Sequence, residues 1–507
     1  MIKKIRSIKN NPDNLRWLVL LTVIIGTFLG RLDQTIVNLA LPKIIGDFNI
    51  TVSAAGWIAT AYILANAIFV PIWGKLGDTI GRKKVYILGF SIFIFGSVLA
   101  GLAWDLSSMI VFRIIQAIAS SADYPTAMAI IAVTFREGKE RAQALGIWSA
   151  SFAAAAVFGP LIGGPLIDNF SWRSVFLINL PIGIIGILMA MSFIRESVSE
   201  KKTVKFDFWG AGTLGIALSA LVLVLDKGLE WGWTSLNSFS CYLSVLIFLA
   251  VFIRIEKKHP EPLVDFKFFK IGAFIHTLIN NFLIFMGMMG GIFLIPIFAQ
   301  TFLGYDATQT GYLFIPMAFI MVASSPLGVF LGEKIQPRFI IAISTFIAGI
   351  GLYLFSYLDP RSGALGIIIP LSIMAFGMGL GMAQRTNIIA SIVPVNEIGI
   401  ASSILALARN IAGAFGIAIF STILSDATNS NVLTIASHSA INSVAIGLKP
   451  MTNYLPTFIS LVILKAQISA YDTVFAISSL FLFTGAFLAL LIKIKKINKL
   501  SGEIIVE

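Results

Sequence analysis

Gly74-Lys75-Leu76-Gly77-Asp78-Thr79-Ile80-Gly81-Arg82-Lys83-Lys84 lies between two long apolar runs, 54–73 and 85–103. Five of its eleven residues are charged. A connection this short forces the flanking segments to run antiparallel and side by side. Its glycines permit a tight reversal and a close backbone approach that a side chain would block. Asp78 and Arg82 are expected at the two helix ends, where a carboxylate favours an N-terminus and a cation a C-terminus.

The rest of the chain repeats the apolar half of this pattern. Of 507 residues, 57% are hydrophobic and only 12% charged, and the mean hydropathy is +0.91. Runs of roughly 20 apolar residues recur along the whole length, each long enough for a helix to cross a bilayer. The fold class is therefore an all-α polytopic membrane protein. Hydropathy places spans near 17–40, 54–73, 85–103, 107–134, 142–167, 174–194, 208–225, 236–253, 272–301, 308–331, 339–358, 364–391, 399–424 and 472–492. An even count of fourteen puts both termini on one side. The N-terminus is basic and then apolar like a signal peptide, but the apolar stretch runs on into Arg31 and Asp33 without a cleavage site, so it reads as a retained first span.

A net charge of +12 suggests nucleic acid at first sight, yet the cations occupy short loops. The tails and loops on the N-terminal side hold 27 Lys and Arg, the opposite side 6, and the spans 4. That asymmetry places both termini in the cytoplasm and predicts no nucleic-acid partner. The one cysteine, Cys241, lies in an apolar run, and His259, His276 and His438 are scattered, so neither a disulfide framework nor a metal site is expected. G-x-x-x-x-G-K-[ST], H-E-x-x-H and G-x-S-x-G do not occur, which leaves no motif for ATP drive or hydrolysis and predicts a non-enzyme without cofactors.

Ionisable groups within spans carry the functional information, because each costs about 2.5–3.5 kcal/mol on insertion scales unless paired or hydrated. They are Arg31, Asp33, Arg113, Asp123, Arg385 and Arg409, with Asp472 at the mouth of the last span. Taking the fourth span as one helix with Arg113 at zero, Gln116, Ser120, Asp123, Tyr124 and Ala127 fall within an arc of about 100°. Such a polar stripe is expected to line a water-filled cavity or to hold helices together. Arg113 and Asp123 are separated by about 15 Å of rise, so each needs another partner. In the first span Arg31, Gln34, Thr35 and Asn38 share one face and Asp33 points away from it, so either the carboxylate or the Arg31 face looks into the cavity.

The fifth span is rich in small residues and contains Gly159-Pro160-Leu161-Ile162-Gly163-Gly164-Pro165, a pattern suited to close helix approach and bending. Later spans set Arg385 after Gly377-Met378-Gly379-Leu380-Gly381 and Arg409 before Asn410-Ile411-Ala412-Gly413-Ala414-Phe415-Gly416. Arg385 either answers a carboxylate across the cavity or bonds helix-end carbonyls. An echo of the opening stretch occurs at Gly332-Glu333-Lys334-Ile335-Gln336-Pro337-Arg338, again a turn after a glycine-bearing helix. The stretch 425–471 reads as a long outward loop that packs on itself or at the membrane surface.

Together these motifs resemble the major facilitator superfamily and, within it, the fourteen-helix drug:proton antiporters. The resemblance rests on the G-x-L-x-D-x-x-G-R-K-K loop, on Leu32-Asp33-Gln34-Thr35-Ile36-Val37-Asn38-Leu39-Ala40-Leu41-Pro42, on Arg113-x-x-Gln116, on G-P-x-x-G-G, and on R-N-x-x-G-x-x-G at Arg409. It implies a major facilitator fold of two six-helix bundles, 1–195 and 271–507, with two extra central helices and linkers over 196–270. Those two helices are expected at the periphery, against lipid.

The resemblance also implies a proton-coupled exporter of hydrophobic, often cationic, compounds, driven by the proton gradient and working by alternating access. Asp33 and Asp123 are the alternative proton carriers, with Arg113 modulating them. Gly74, Asp78, Gly81 and Arg82 form the cytoplasmic latch. Gly159, Pro160, Gly163 and Gly164 form the antiporter seam, where one half slides on the other. Gln34, Asn38, Gln116, Ser120, Tyr124, Arg385 and Arg409 line the cavity. Protons, small amphiphilic or cationic substrates and membrane lipid are the expected partners. Export of an endogenous amphiphile on the same fold, or a non-transporting sensor, are the alternatives.

Overall fold

A computed structural model describes residues 12–135, 139–197, 207–260, 262–332, 334–393, 398–445 and 455–492. Helices occupy every one of the predicted segments. The first six are α1 (Pro12–Phe48), α2 (Val52–Ile80), α3 (Arg82–Gly101), a broken rod of α4 (Leu106–Ser120) and α5 (Asp123–Thr134), α6 (Lys139–Asn169), and a second broken rod of α7 (Ser174–Leu177) and α8 (Asn179–Phe193). α9 (Phe208–Trp231) and α10 (Leu236–Glu256) follow. The last six are α11 (Gly272–Phe302), α12 (Ala307–Gly332), α13 (Pro337–Leu354), α14 (Ala364–Ser391), α15 (Ile398–Ala445) and α16 (Leu455–Leu490).

Among the described residues 12 helices are long and apolar enough to cross a membrane. The two predicted spans outside that set are the broken fourth rod and the glycine- and alanine-rich α6. The chain divides into two compact units: Met1–Leu221 with Tyr242–Asp265 and Gly304–Ala318, and Val222–Cys241 with Phe266–Leu303 and Phe319–Glu507. Unit one is held by a cluster that includes Val19, Val23, Tyr86, Ile131, Phe135, Trp148 and Ile194. Unit two has a cluster of Ala273, Ile341, Ala342, Ile388, Ala489 and Ile492.

Three expectations change. The predicted eleven-residue connection is helical up to Ile80, and the chain reverses at Gly81 alone, with φ +112°. Asp78 therefore falls in the last turn of α2 and Arg82 starts α3, the opposite of the placement that the helix dipole favours. The predicted loop at 425–471 is largely helix, since α15 continues to Ala445 and α16 begins at Leu455. Its polar residues mislead because Thr428, Thr434 and Ser437 return their hydroxyls to carbonyls of the preceding turn. The fourth span is also not one helix, as it breaks at Ser121–Ala122 and restarts at Asp123. Of the two central helices, α10 has 17% of its apolar window buried and α9 44%.

Candidate functional site

Asp33 and Arg113 meet inside unit one. Arg113 Nη1 lies 2.6 Å from Asp33 Oδ2, and the two side chains are 2% and 0% exposed. Gln116 Nε2 and Asn179 Nδ2 donate to Asp33 Oδ1 at 2.9 and 3.1 Å, and the same two amides donate to Ser97 Oγ at 2.6 and 2.7 Å. Arg113 also donates to Gln116 Oε1 and stands over the Tyr62 ring, 4.0 Å from its centroid. Five rods of unit one thus meet at one buried polar knot, built so that the carboxylate accepts on both oxygens. A buried ion pair persists only with this degree of satisfaction. The predicted stripe does not stay together: Gln116 is fully buried in the knot, Ser120 turns to Tyr62 and Asn66, and Tyr124 is exposed.

Asp123 occupies the first turn of α5, where the helix dipole favours a carboxylate. It is half-buried, and its Oδ1 lies out of solvent with no hydrogen-bond partner. Thr27 lies beside it, and its hydroxyl accepts from Trp148 Nε1 at 2.9 Å. Gly26 makes room for this corner, since a Cβ there would overlap the Tyr86 hydroxyl and sit 3.3 Å from Asp123 Oδ1. Arg31, Gln34 and Asn38 lie on the half-buried side of α1, and Arg31 donates to Gln34 at 3.2 Å.

The G-P-x-x-G-G stretch is a site of direct backbone contact. A Cβ on Gly159 would overlap Thr35 and one on Gly163 would press on Ile36, both on α1. A Cβ on Gly164 would overlap the backbone of Thr308, and Gly311 presents its Cα to the Pro160 carbonyl. One turn further, Asp168 accepts from Ala307 N at 3.2 Å, Thr308 N at 2.8 Å and Thr308 Oγ1 at 2.6 Å. A carboxylate here satisfies the open N–H groups at the start of α12.

At the reversal between α2 and α3, Glu196 Oε1 accepts from Lys83 N at 3.0 Å, and Arg82 N donates to Ser197 O at 3.0 Å. A Cβ on Gly81 would collide with the Glu196 carboxylate, so this glycine answers both a positive φ and a close approach. Of the four predicted latch positions, Gly74 and Asp78 lie outside the residues whose side chains are described, and Glu333 of the echo lies outside the described residues altogether.

Unit two holds a second buried arginine. Arg385 donates through Nε to Asn280 Oδ1 at 2.7 Å and through Nη2 to Thr345 Oγ1 at 2.8 Å, while its buried Nη1 has no partner. Neither reading of Arg385 from the sequence describes this, because its contacts are a neutral amide and a hydroxyl on α11 and α13. Arg409 stands over the Phe285 ring, 5.0 Å from its centroid.

Ser97, Asn179, Asp168 and Glu196 were not picked out from the sequence. The only signal for the first two is a small polar residue in an otherwise apolar window. For the last two it is an acid among residues that read as loop.

A sequence profile described as the Major Facilitator Superfamily matches residues 23–417. The multidrug transporter protein MdtP of Bacillus subtilis is 33% identical over 430 residues, which are 84% of this chain and 78% of that protein. The riboflavin transporter RibZ of Clostridioides difficile is 32% identical over 416 residues, 82% of this chain and 90% of that one. Among solved structures, a bacterial homologue of the human lysosomal transporter Spinster, inward-facing and occupied, superposes with a TM-score of 0.68 over 94% of this chain and 96% of that one, at 18% identity. The chain is a multi-pass membrane transporter and belongs to the Major Facilitator Superfamily.

Proposed function

We propose that this transporter exports hydrophobic, cationic compounds from the cytoplasm in exchange for protons, with both termini cytoplasmic. The observation that carries this reading is the Asp123 carboxylate. It sits at a break in a membrane helix, half withdrawn from water, with one buried oxygen that nothing in the protein bonds. A carboxylate so placed binds a proton or a cation at that oxygen, and the two compete. Asp33 plays a different part, since its two oxygens are already engaged by Arg113, Gln116 and Asn179. It fastens the knot through which a change at the fourth rod reaches α1, α3 and α8. The glycines from 159 to 164 provide the surface that slides. A net charge crossing 100 mV contributes about 2.3 kcal/mol, so the proton count per cycle matters to the drive.

The test is proton release from inverted membrane vesicles on adding a cationic dye, with uptake followed in parallel. Asp123→Asn is expected to abolish the release. Equal release from Asp123→Asn and the parent chain, or uptake that persists after the pH and voltage gradients are both collapsed, overturns the reading.

A second reading, export of a flat aromatic metabolite, is favoured by the similarity to a protein named a riboflavin transporter. Flavin retention in cells lacking the protein, without any change in drug susceptibility, would select it.

A further inference from the structure

Away from the knot and the seam, two acids are buried where α9 begins and α10 ends. Asp207 is 3% and Glu256 2% exposed. Each has one oxygen engaged by the backbone: Gly210 N donates to Asp207 Oδ1 at 2.6 Å, and Val264 N donates to Glu256 Oε2 at 3.2 Å. The other oxygens, Asp207 Oδ2 and Glu256 Oε1, are buried without any donor. Both converge on Gly210, where a Cβ would overlap Asp207 Oδ2 and stand 2.9 Å from Glu256 Oε1. The two unbonded oxygens are thus neighbours at one point beside Gly210.

Two neighbouring carboxyl oxygens can satisfy one another only if one of them carries a hydrogen, because an ionised carboxylate only accepts. Two ionised carboxylates in contact and out of water repel strongly. The charged groups nearby do not relieve this. Arg254, Lys257 and Lys258 are exposed at the end of α10, and His259 and Asp265 are half-buried beside it. Among the described residues no ion pair joins Arg254, Lys257 or Lys258 to Asp207 or Glu256.

We infer that Asp207 and Glu256 hold one proton between Asp207 Oδ2 and Glu256 Oε1, and that this shared proton fastens the start of α9 to the end of α10 and to the segment at Val264. The site is a proton-binding site separate from Asp123, and it does not depend on what the protein transports. Loss of the proton leaves two like charges in a dry pocket, so the three segments part as pH rises. The folded pair holds more protons than the unfolded chain over that range, and stability must then fall with rising pH.

The test compares the full-length protein in lipid nanodiscs with Asp207→Asn, Glu256→Gln and Glu256→Ala, by thermal unfolding from mildly acidic to mildly alkaline pH. The parent protein is expected to lose several degrees of melting temperature on the alkaline side. Asp207→Asn and Glu256→Gln supply an amide hydrogen in place of the proton and are expected to melt at a pH-independent temperature near the parent's acidic value. Glu256→Ala is expected to melt lower throughout. Infrared difference spectra of the parent protein give a second readout: a protonated-carboxyl band that disappears on alkalinisation and is missing from Asp207→Asn. Parallel pH profiles for the parent and Asp207→Asn overturn the inference. So does an alkaline loss that is reversed by magnesium or sodium at constant ionic strength, which would assign the pocket to a metal cation.

Discussion

Arg113 reaches Asp33 at 2.6 Å across 80 residues of sequence, with both side chains closed off from solvent. Removing one member leaves the other as an uncompensated buried charge. Arg113→Met and Asp33→Leu are each expected to cost about 3–5 kcal/mol of stability, whereas the double variant recovers most of the loss because a matched apolar pair needs no counter-charge. Thermal unfolding of the three detergent-purified variants checks this. A double variant no more stable than the singles would show that Gln116, Asn179 and Ser97 need the charge to stay ordered.

Gly81 turns the chain at φ +112° with Glu196 packed where a side chain would project. Gly81→Ala is expected to impose about 1–3 kcal/mol of backbone strain. It also forces the Glu196 carboxylate off the start of α3. Glu196→Gln, which can still accept from Lys83 N, should be much milder. Melting temperatures of the two variants decide the comparison.

Asp168 engages the first two residues of α12 with three hydrogen bonds. Asp168→Ala is expected to weaken that contact by about 1 kcal/mol, the usual cost of losing a helix cap. With a reporter cysteine at buried Thr310, the change reads as a roughly fivefold faster alkylation by an added maleimide. An unchanged rate would show that the Gly164–Thr308 contact alone holds the start of α12 in place.

Asp105 stands outside the spans and caps α4 in a reciprocal box with Ser108. Hydrogen bonds from the Ser108 side chain and then from its backbone hold the Asp105 carboxyl below its usual value. The ionised form is therefore the one the fold favours. Its contribution is complete above the ordinary carboxylate range and disappears as pH falls through the lowered value. Asp105→Ala should lower the melting temperature at neutral pH and match the parent chain in strong acid.

The rods were legible because an apolar run of roughly 20 residues admits few other readings. The contacts between them were less so. Asp33 and Arg113 were marked by the cost of a charge in a span, but positions around one helix cannot say which neighbour that helix faces. Ser97 and Asn179 carry no charge and so gave no comparable mark. The break at Ser121–Ala122 does carry a signal, Pro125, which offers no N–H to the Ser121 carbonyl four residues back and crowds it with its ring, but the polar stripe was followed through that point as though the helix were regular. The extended α15 was missed for the converse reason: polarity was read as loop where hydroxyls are satisfied within the helix.

That break has an optical consequence. The carbonyl of Ile118 accepts from the Trp73 indole N–H at 2.5 Å and from the Ser121 hydroxyl at 2.6 Å. Indole emission responds to whether its N–H is engaged, so straightening or sharpening the bend alters the colour of Trp73. In a chain whose other eight tryptophans are replaced by phenylalanine, the fluorescence of this ring becomes a built-in gauge of how the fourth rod flexes while the protein turns over.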